Sequence, residues 1–190
     1  VILSFVCFLS KKCTPWCLTT LFRLQFMFNK RIKSSINFVF MSSNYINLYN
    51  NFINLTTNKK LYSGLEGQDT FSDRLIMFLF HFAFFLKVYK DENTKIILQE
   101  IYDFNFKQLE LSIREIGYGD QSINKKMKDY INLFHSMVSE IHFWDTLSKE
   151  DKLKKISFFL VDFQNNEELL DYFENFNINL SKKTLNYYLK

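Results

Sequence analysis

Three histidines, His81, His135 and His142, are the side chains best suited to bind a metal or move a proton near neutral pH. They are scattered along the chain, and only His135 and His142 share a predicted helix. Those two are seven residues apart, which separates them by about 10 Å along the helix axis. That distance is too large for two ligands of one metal on a straight helix. We therefore predict hydrogen-bonded packing histidines and no metal site.

Motifs for catalysis are also missing from the sequence. Gly117-Tyr118-Gly119 follows a predicted helix rather than a strand, and it is not the G-x-G-x-x-G pattern that cradles a phosphate. No G-x-S-x-G nucleophile elbow occurs. Asp91-Glu92 and Glu167-Glu168 stand near predicted helix starts, where negative charge interacts favourably with the helix dipole. We predict a protein that is not an enzyme and has no cofactor. An all-α enzyme for a small molecule or quinone lipid is the less favoured alternative.

Charge is unevenly distributed along the chain. Residues 1–65 hold eight Lys and Arg and no Asp or Glu, whereas residues 66–190 hold 16 basic and 20 acidic side chains, near −4. The apolar run 1–9 is too short for a membrane span, which needs about 20 residues. Its positive charges follow it, whereas those of a secretory signal precede it. The first segment therefore has the composition of a basic leader.

The leader also contains all three cysteines, Cys7, Cys13 and Cys17, in a spacing that matches no zinc or haem motif. Met41 follows, and helical spacing of apolar residues begins directly after it. We expect residues 1–40 to be a leader that is poorly ordered or not natively translated. Residues 41–190 are expected to form one helical domain.

One proline and four glycines in 190 residues leave few turns, which favours long helices over many short strands. Residues 75–86 are apolar all round apart from His81. A helix of that kind is a core helix or a membrane segment, and twelve residues span only about 18 Å of a hydrocarbon layer near 30 Å. We expect the central buried helix of a bundle.

Apolar residues recur at helical spacing in the rest of the body as well. The predicted helices cover residues 45–55, 93–116, 123–141, 153–163 and 167–176. Thr70 with Asp73, and Ser148 with Asp151, have the spacing of capping boxes. Ser181 is expected to cap a short last helix. The sum is an all-α fold, a single irregular bundle of about six or seven helices.

The turn between the helices at 93–116 and 123–141 contains two of the four glycines. Gly117 is predicted to end the first helix with a positive φ. Asp120 or Ser122 is predicted to accept hydrogen bonds from the free amides of the next helix. Structural capping is the favoured role for this turn, and contact with a partner is the alternative.

Charged residues near this turn have two possible roles. Lys125, Lys126 and Lys128 form a basic patch, either a solvated face or a contact for an acidic partner, anionic lipid or RNA. Arg114 and Glu115 are candidates for a surface ion pair or for binding. Further upstream, Arg74 follows the predicted cap residue Asp73 and is our candidate for a functional charge there.

Residues 113–128, which begin Ile113-Arg114-Glu115-Ile116-Gly117-Tyr118-Gly119-Asp120, resemble the Leu-Arg-Glu-Met-Gly-Val-Gly-Asp signature of the ubiquinol–cytochrome c chaperone family. The similarity extends over roughly residues 48–176. The other matching segments, in order, are Leu48-Tyr49, Leu61-Tyr62, Asp69-Thr70, Asp73-Arg74, Leu79-Phe80-His81, Ile101-Tyr102-Asp103 and 127–134. Gln68 replaces the family's proline and Asp73 its glycine, and its Phe-Tyr-Gly-Arg becomes Phe134-His135-Ser136-Met137.

The resemblance implies a non-enzymatic assembly chaperone whose client is cytochrome b or another bc1 subunit. Relatives in mitochondria work with a small partner subunit near the ribosomal exit. For this chain the resemblance implies action on the cytoplasmic face of a bacterial inner membrane or on the mitochondrial matrix side, with peripheral membrane contact and no DNA binding. An RNA-binding or ribosome-binding helical module is the main alternative. The candidate partner-binding residues are Arg74, Arg114, Glu115, Gly117, Gly119, Asp120, Lys125, Lys126 and Lys128.

We expect the natively expressed protein to begin near Met41, because the acid-free leader lacks the helical pattern of the body. Intact-mass spectrometry of the protein from its native source should give the mass of residues 41–190. A product that retains residues 1–40 contradicts this prediction.

Overall fold

The computed structural model describes residues 35–62, 70–161 and 163–189, with side chains from Tyr45 onward. Seven α-helices and no strand occur in these ranges, so the predicted all-α fold is confirmed. The helices are α1 Ser35–Thr56, α2 Phe71–Tyr89, α3 Lys95–Glu115, α4 Asp120–His142, α5 Lys149–Phe159, α6 Asn166–Ser181 and α7 Leu185–Tyr188. Short 3-10 turns lie at Lys59–Tyr62, Glu92–Thr94 and Trp144–Thr146.

Helix α2 begins at the predicted capping box. The Thr70 hydroxyl accepts from the backbone N–H of Asp73 at 3.3 Å, and the Thr70 N–H donates to the Asp73 carboxylate at 2.8 Å. This reciprocal pair satisfies two amides that a helix start would otherwise leave unbonded. The chain therefore enters its most apolar helix at a defined residue.

Every side of α2 is covered by another helix. Phe78 contacts Phe52 of α1 at 5.8 Å between ring centroids, whereas Phe82 stacks on Phe134 of α4 at 5.1 Å. Towards α6, the rings of Phe80 and Phe84 lie 4.7 and 5.4 Å from that of Phe173. Residues 77–86 are all buried. The prediction of a central core helix is confirmed, and no helix in the described part of the chain is long and apolar enough to cross a bilayer.

His81 is the one polar side chain in the buried stretch of α2, and its hydrogen bonds are complete. Its Nδ1 donates to the carbonyl oxygen of Met77 at 2.7 Å, because a carbonyl can only accept. Its Nε2 must then accept from the Tyr172 hydroxyl, also at 2.7 Å. Burial lowers the pKa of His81 to about 4. The side chain is a neutral packing histidine, as predicted.

The end of the chain differs from the prediction. The capping role of Ser148 is confirmed, since its hydroxyl accepts from the Asp151 N–H at 3.2 Å. Ser181, however, caps nothing: it is the last residue of α6, and its hydroxyl donates to the Asn177 carbonyl. The helix runs five residues beyond 176 because Leu180 is buried in the core. Packing thus outweighs the weak helix propensity of the local asparagines.

Most of the predicted leader, residues 1–40, lies outside the described residues, as do Cys7, Cys13 and Cys17. Helix α1 is described from Ser35 and runs through Met41. The division of the chain at residue 40 stays a prediction.

We expect the free energy of unfolding to fall as the pH is lowered from about 6.5 to about 4. Burial lowers the pKa of His81 and of His135 to about 4, whereas histidines of the unfolded chain titrate near 6.5. Within that window the unfolded chain binds protons that the native protein excludes, so stability is lost as the pH falls. For His81 alone the loss is up to about 3 kcal/mol.

Urea unfolding followed by circular dichroism across this window measures the effect. The His81→Phe variant should show a shallower decline of stability with falling pH than the unmodified chain. An equal decline in both proteins would contradict the claim that His81 is a source of the pH dependence. Carboxylates with a lowered pKa, such as that of Asp145, also stabilise the native protein. This stabilisation is lost mainly below about pH 4, so it does not explain a loss of stability between pH 6.5 and 4.

Candidate partner-binding surface

The turn between α3 and α4 is built on one residue with a left-handed conformation. The Gly117 N–H donates to the Arg114 carbonyl at 2.9 Å, which closes the last turn of α3. Gly117 has a φ of 99°, as predicted for a helix C-terminus. Gly119 has a φ of −71° and is the N-cap residue of α4, a conformation open to any residue. Only one of the two glycines is therefore required by the backbone.

The predicted capping by Asp120 or Ser122 is wrong. Gly119 occupies the N-cap position, and no side chain accepts from the first amides of α4. Asp120 is the first residue of the helix, and its carboxylate accepts from the Arg114 guanidinium at 2.5 Å instead. An aspartate one position inside the helix still lies favourably near the positive end of the dipole.

Arg114 connects the two helices across the turn. Its Nε and Nη2 donate to one oxygen of Glu110 at 3.1 and 2.9 Å, and its Nη1 donates to Asp120. Burial alone would raise the pKa of Glu110, but hydrogen bonds from Arg114 and Lys107 lower it below the usual value. The guanidinium thus joins the last turns of α3 to the first residue of α4. We call Glu110, Arg114 and Asp120 the hinge clamp.

Glu115 takes no part in the clamp. Its side chain is exposed, and no ion pair of Glu115 occurs among the described residues. Ile116 is the last apolar residue of the helix predicted over residues 93–116, but it is 52% exposed and does not lie in the core. Ile116 still has a helical conformation, with a φ of −69° and its N–H bonded to the Ser112 carbonyl at 3.2 Å, so its exposure reflects its place at the end of α3.

Exposed apolar and basic side chains adjoin at this turn. Tyr118 is 42% exposed, and the ammonium of Lys126 lies 4.6 Å from the centre of its ring, within the range of a cation–π contact. Lys125 and Lys128 are exposed and form no ion pair with described residues. We call the following set the hinge surface: Leu111, Ile116, Tyr118, Lys125, Lys126 and Lys128.

The sequence analysis found the lysines but not the aromatic partner. A tyrosine between two glycines lies in a turn, where no side chains of its own helix cover the ring. The sequence Gly117-Tyr118-Gly119 could therefore have predicted an exposed aromatic side chain. Arg74 is exposed in the first turn of α2, which is not one of the elements that form the hinge surface. Of the predicted candidates, the structure joins Arg114 to Asp120 across the turn and leaves Arg74 on a different element.

The other two histidines lie apart from each other. The Tyr102 hydroxyl is 3.2 Å from Nε2 of His135, and burial lowers the pKa of His135 to about 4. His142 is exposed, and its pKa is lowered by partial burial and by the charges of Lys90 and Lys87. No group of three or more His, Cys, Asp or Glu able to hold a metal ion is found in the part of the chain that the structure describes.

The fold and the clamped turn define an all-α helical protein organised around one buried aromatic helix. The family model for the ubiquinol-cytochrome C chaperone matches residues 64–142, which include α2, α3, the hinge clamp and α4. The resemblance drawn from the sequence is thereby confirmed for residues 64–142, which are similar to that family. Comparison with curated proteins and with solved structures finds no match.

We expect Gly117→Ala to lower the free energy of unfolding by about 1–2 kcal/mol, because an L side chain is strained at positive φ. Gly119→Ala is the matched control, since its φ is negative and neither glycine has an atom within 4 Å of an added Cβ. It should cost less than Gly117→Ala, at most about 1 kcal/mol, which is the preference of an N-cap position for Gly over Ala. Thermal and urea unfolding measure both changes, and equal effects would contradict the requirement for glycine at 117.

Proposed function

We propose that this protein is an assembly chaperone of ubiquinol–cytochrome c reductase that binds newly made cytochrome b or another subunit of the complex. The match of residues 64–142 to the chaperone family carries this proposal. The family suggests a role in assembly of the respiratory complex and a non-enzymatic activity. The client, the binding surface and the side of the membrane are the parts that we add.

We assign client binding to the hinge surface. A holding chaperone needs exposed apolar groups bordered by polar ones, so that an unfinished membrane subunit is covered without a hydrophobic patch that aggregates. Ile116 and Tyr118 provide exposed apolar groups at the turn, Lys126 contacts the Tyr118 ring, and Lys125 and Lys128 are exposed on the same first turns of α4. This combination supports contact with an apolar segment that has an acidic or polar edge.

The hinge clamp gives the surface a fixed shape. Because Arg114 bonds to Glu110 on one side of the turn and to Asp120 on the other, the end of α3 and the start of α4 keep one relative orientation. Exposed ion pairs contribute only about 0–1 kcal/mol to stability. The positioning of Ile116 and Tyr118 for a partner is therefore the larger consequence of the clamp.

The remaining partner assignments follow from the same proposal. Glu115 and Gly119 flank the hinge surface, and Arg74 provides a separate contact on α2. A small assembly subunit and the ribosome are the further partners. The site of action is the cytoplasmic face of a bacterial inner membrane or the mitochondrial matrix side, with peripheral membrane contact.

RNA binding is the second candidate function, and it rests on Lys125, Lys126 and Lys128. Single-stranded RNA is usually bound by stacking of bases on exposed aromatic faces together with lysines along the backbone. One face of Tyr118 already lies under the ammonium of Lys126. This contact disfavours base stacking at the hinge surface, so we prefer a protein client.

The clamp is tested by Arg114→Ala with Lys107→Ala as the matched control. Both residues pair with Glu110, at 2.9 and 3.2 Å, but only Arg114 also reaches across the turn to Asp120. We expect Arg114→Ala to reduce the cytochrome b recovered by affinity purification from detergent-solubilised membranes. Lys107→Ala should leave recovery unchanged, and neither variant should lose more than about 1 kcal/mol of stability.

Deletion of the gene tests the function itself, because it should lower the content of assembled bc1 complex measured by native electrophoresis and haem spectra. Complementation with the unmodified chain should restore that content. Unchanged bc1 content in the deletion strain would overturn the proposed function. Equal client recovery by the Arg114 and Lys107 variants would overturn only the role of the clamp.

A further inference from the structure

The C-terminal end of α2 is the centre of a second charged surface. There Lys87 pairs with Asp145 at 2.6 Å, and its ammonium is 3.4 Å from the side-chain oxygen of Asn177. The Asn177 amide in turn donates to Asp145 at 3.2 Å. This network joins the end of α2 to α6 and to the turn after α4. Ile178 follows Asn177 directly and Phe143 lies two residues before Asp145, so the contact between Asn177 and Asp145 brings both to the same end of the molecule.

The last part of the chain joins this end through Tyr89. The Tyr89 hydroxyl is 2.8 Å from the carbonyl oxygen of Leu180 and 3.0 Å from that of Lys183. Its ring also contacts that of Tyr188 at 5.9 Å between centroids. Residues 182–188 are thus held against the last turn of α2.

The net charge of the C-terminal segment is opposite in sign to that of the body. Residues 175–190 contain three lysines, Lys182, Lys183 and Lys190, and no Asp or Glu, although residues 66–190 as a whole are near −4. Lys182 and Lys183 are exposed. Asp145, the acid that contacts the end of α2, is paired with Lys87. Positive charge therefore dominates the C-terminal segment.

Large apolar side chains are exposed around these lysines. Phe143 is 60% exposed, Ile178 49% and Tyr187 59%. Phe143 lies two residues before Asp145, whose carboxylate pairs with Lys87 at 2.6 Å, and this ion pair places Phe143 near the C-terminal end of α2. We call Phe143, Ile178, Lys182, Lys183 and Tyr187 the basic aromatic end.

We infer that the basic aromatic end is a docking surface for an anionic lipid bilayer. Lysines near an anionic membrane are attracted by its negative surface potential, and aromatic side chains favour the boundary between headgroups and acyl chains. Exposed Phe143 and Ile178 supply apolar groups for that boundary, whereas Lys182 and Lys183 supply the charge.

RNA fits this surface less well than lipid does. The Lys183 ammonium lies 4.1 Å from the ring centre of Tyr187 and 5.6 Å from that of Tyr188. A ring face covered in this way does not offer a base a stacking platform. Single-stranded RNA offers no apolar region to the aliphatic side chain of Ile178. The boundary between the headgroups and acyl chains of a membrane does.

This inference rests on the peripheral membrane contact of the proposed function and names the surface that makes it, whereas client binding is assigned to the hinge surface. All five residues of the basic aromatic end lie outside the segment 64–142 that matches the chaperone family. The hinge surface and the basic aromatic end are built from different elements. A protein with both can contact a membrane and a client subunit at the same time.

Vesicle flotation with the full chain tests the inference. The probe is large unilamellar vesicles of phosphatidylcholine with about one-third phosphatidylglycerol, and vesicles of phosphatidylcholine alone are the neutral comparison. We expect binding to the anionic vesicles that weakens with salt. The double variant Lys182→Gln/Lys183→Gln should lose roughly thirtyfold in affinity, since each lysine near an anionic surface contributes about 1 kcal/mol. Phe143→Ser should also weaken binding, because a buried aromatic group is lost from the lipid boundary.

The matched control is the double variant Lys59→Gln/Lys60→Gln, which instead removes two consecutive exposed lysines from the 3-10 turn after α1. It should float with anionic vesicles like the unmodified chain. Absence of binding to anionic vesicles, or an equal loss in the control, would overturn the inference. Tighter binding to poly-uridylate that depends on Lys182 and Lys183 would also overturn it in favour of RNA. The bc1 content of a deletion strain is a separate readout, so failure here leaves the proposed function to be judged by its own experiment.

Discussion

Burial of α2 on all sides is the constraint on which the rest of this structure depends. A helix without a polar face leaves apolar area in contact with water unless neighbours cover its whole circumference. Phe78, Phe82 and Phe84 point to α1, α4 and α6 in turn. The position of each neighbouring helix is thus tied to a particular ring of α2. Aromatic pairs of this kind add about 0.5–1.5 kcal/mol each beyond the area that they bury.

A core so dense in aromatic rings limits where polar chemistry can occur. His81 is kept neutral in the core by burial and has both ring nitrogens occupied, by Met77 and Tyr172. Its role is to complete hydrogen bonds inside the bundle. Groups that remain available to partners lie where helices end, because a helix end interrupts the buried stripe and exposes side chains in new directions.

The hinge surface and the basic aromatic end both lie where helices end, and different interactions fix their geometry. The hinge surface is fixed by one exposed guanidinium, Arg114, across a glycine turn. The basic aromatic end is fixed by the partly buried network of Lys87, Asp145 and Asn177. A clamp of exposed ions is weak and sensitive to salt. A network anchored to the core is expected to hold its geometry under conditions that loosen the hinge.

The sequence by itself determined the helical fold, the central helix, the capping boxes and the positive φ of Gly117. These features depend on local spacing and on the conformational freedom of one residue, both of which can be read along the chain. It did not determine the end of α6, the partner of Asp120 or the exposure of Ile116. Only the tertiary structure decided these, because each depends on which side chains and helices lie beside the residue once the chain has folded. Leu180 extends α6 by packing into the core, and Arg114 takes the carboxylate that local rules had assigned to a helix cap.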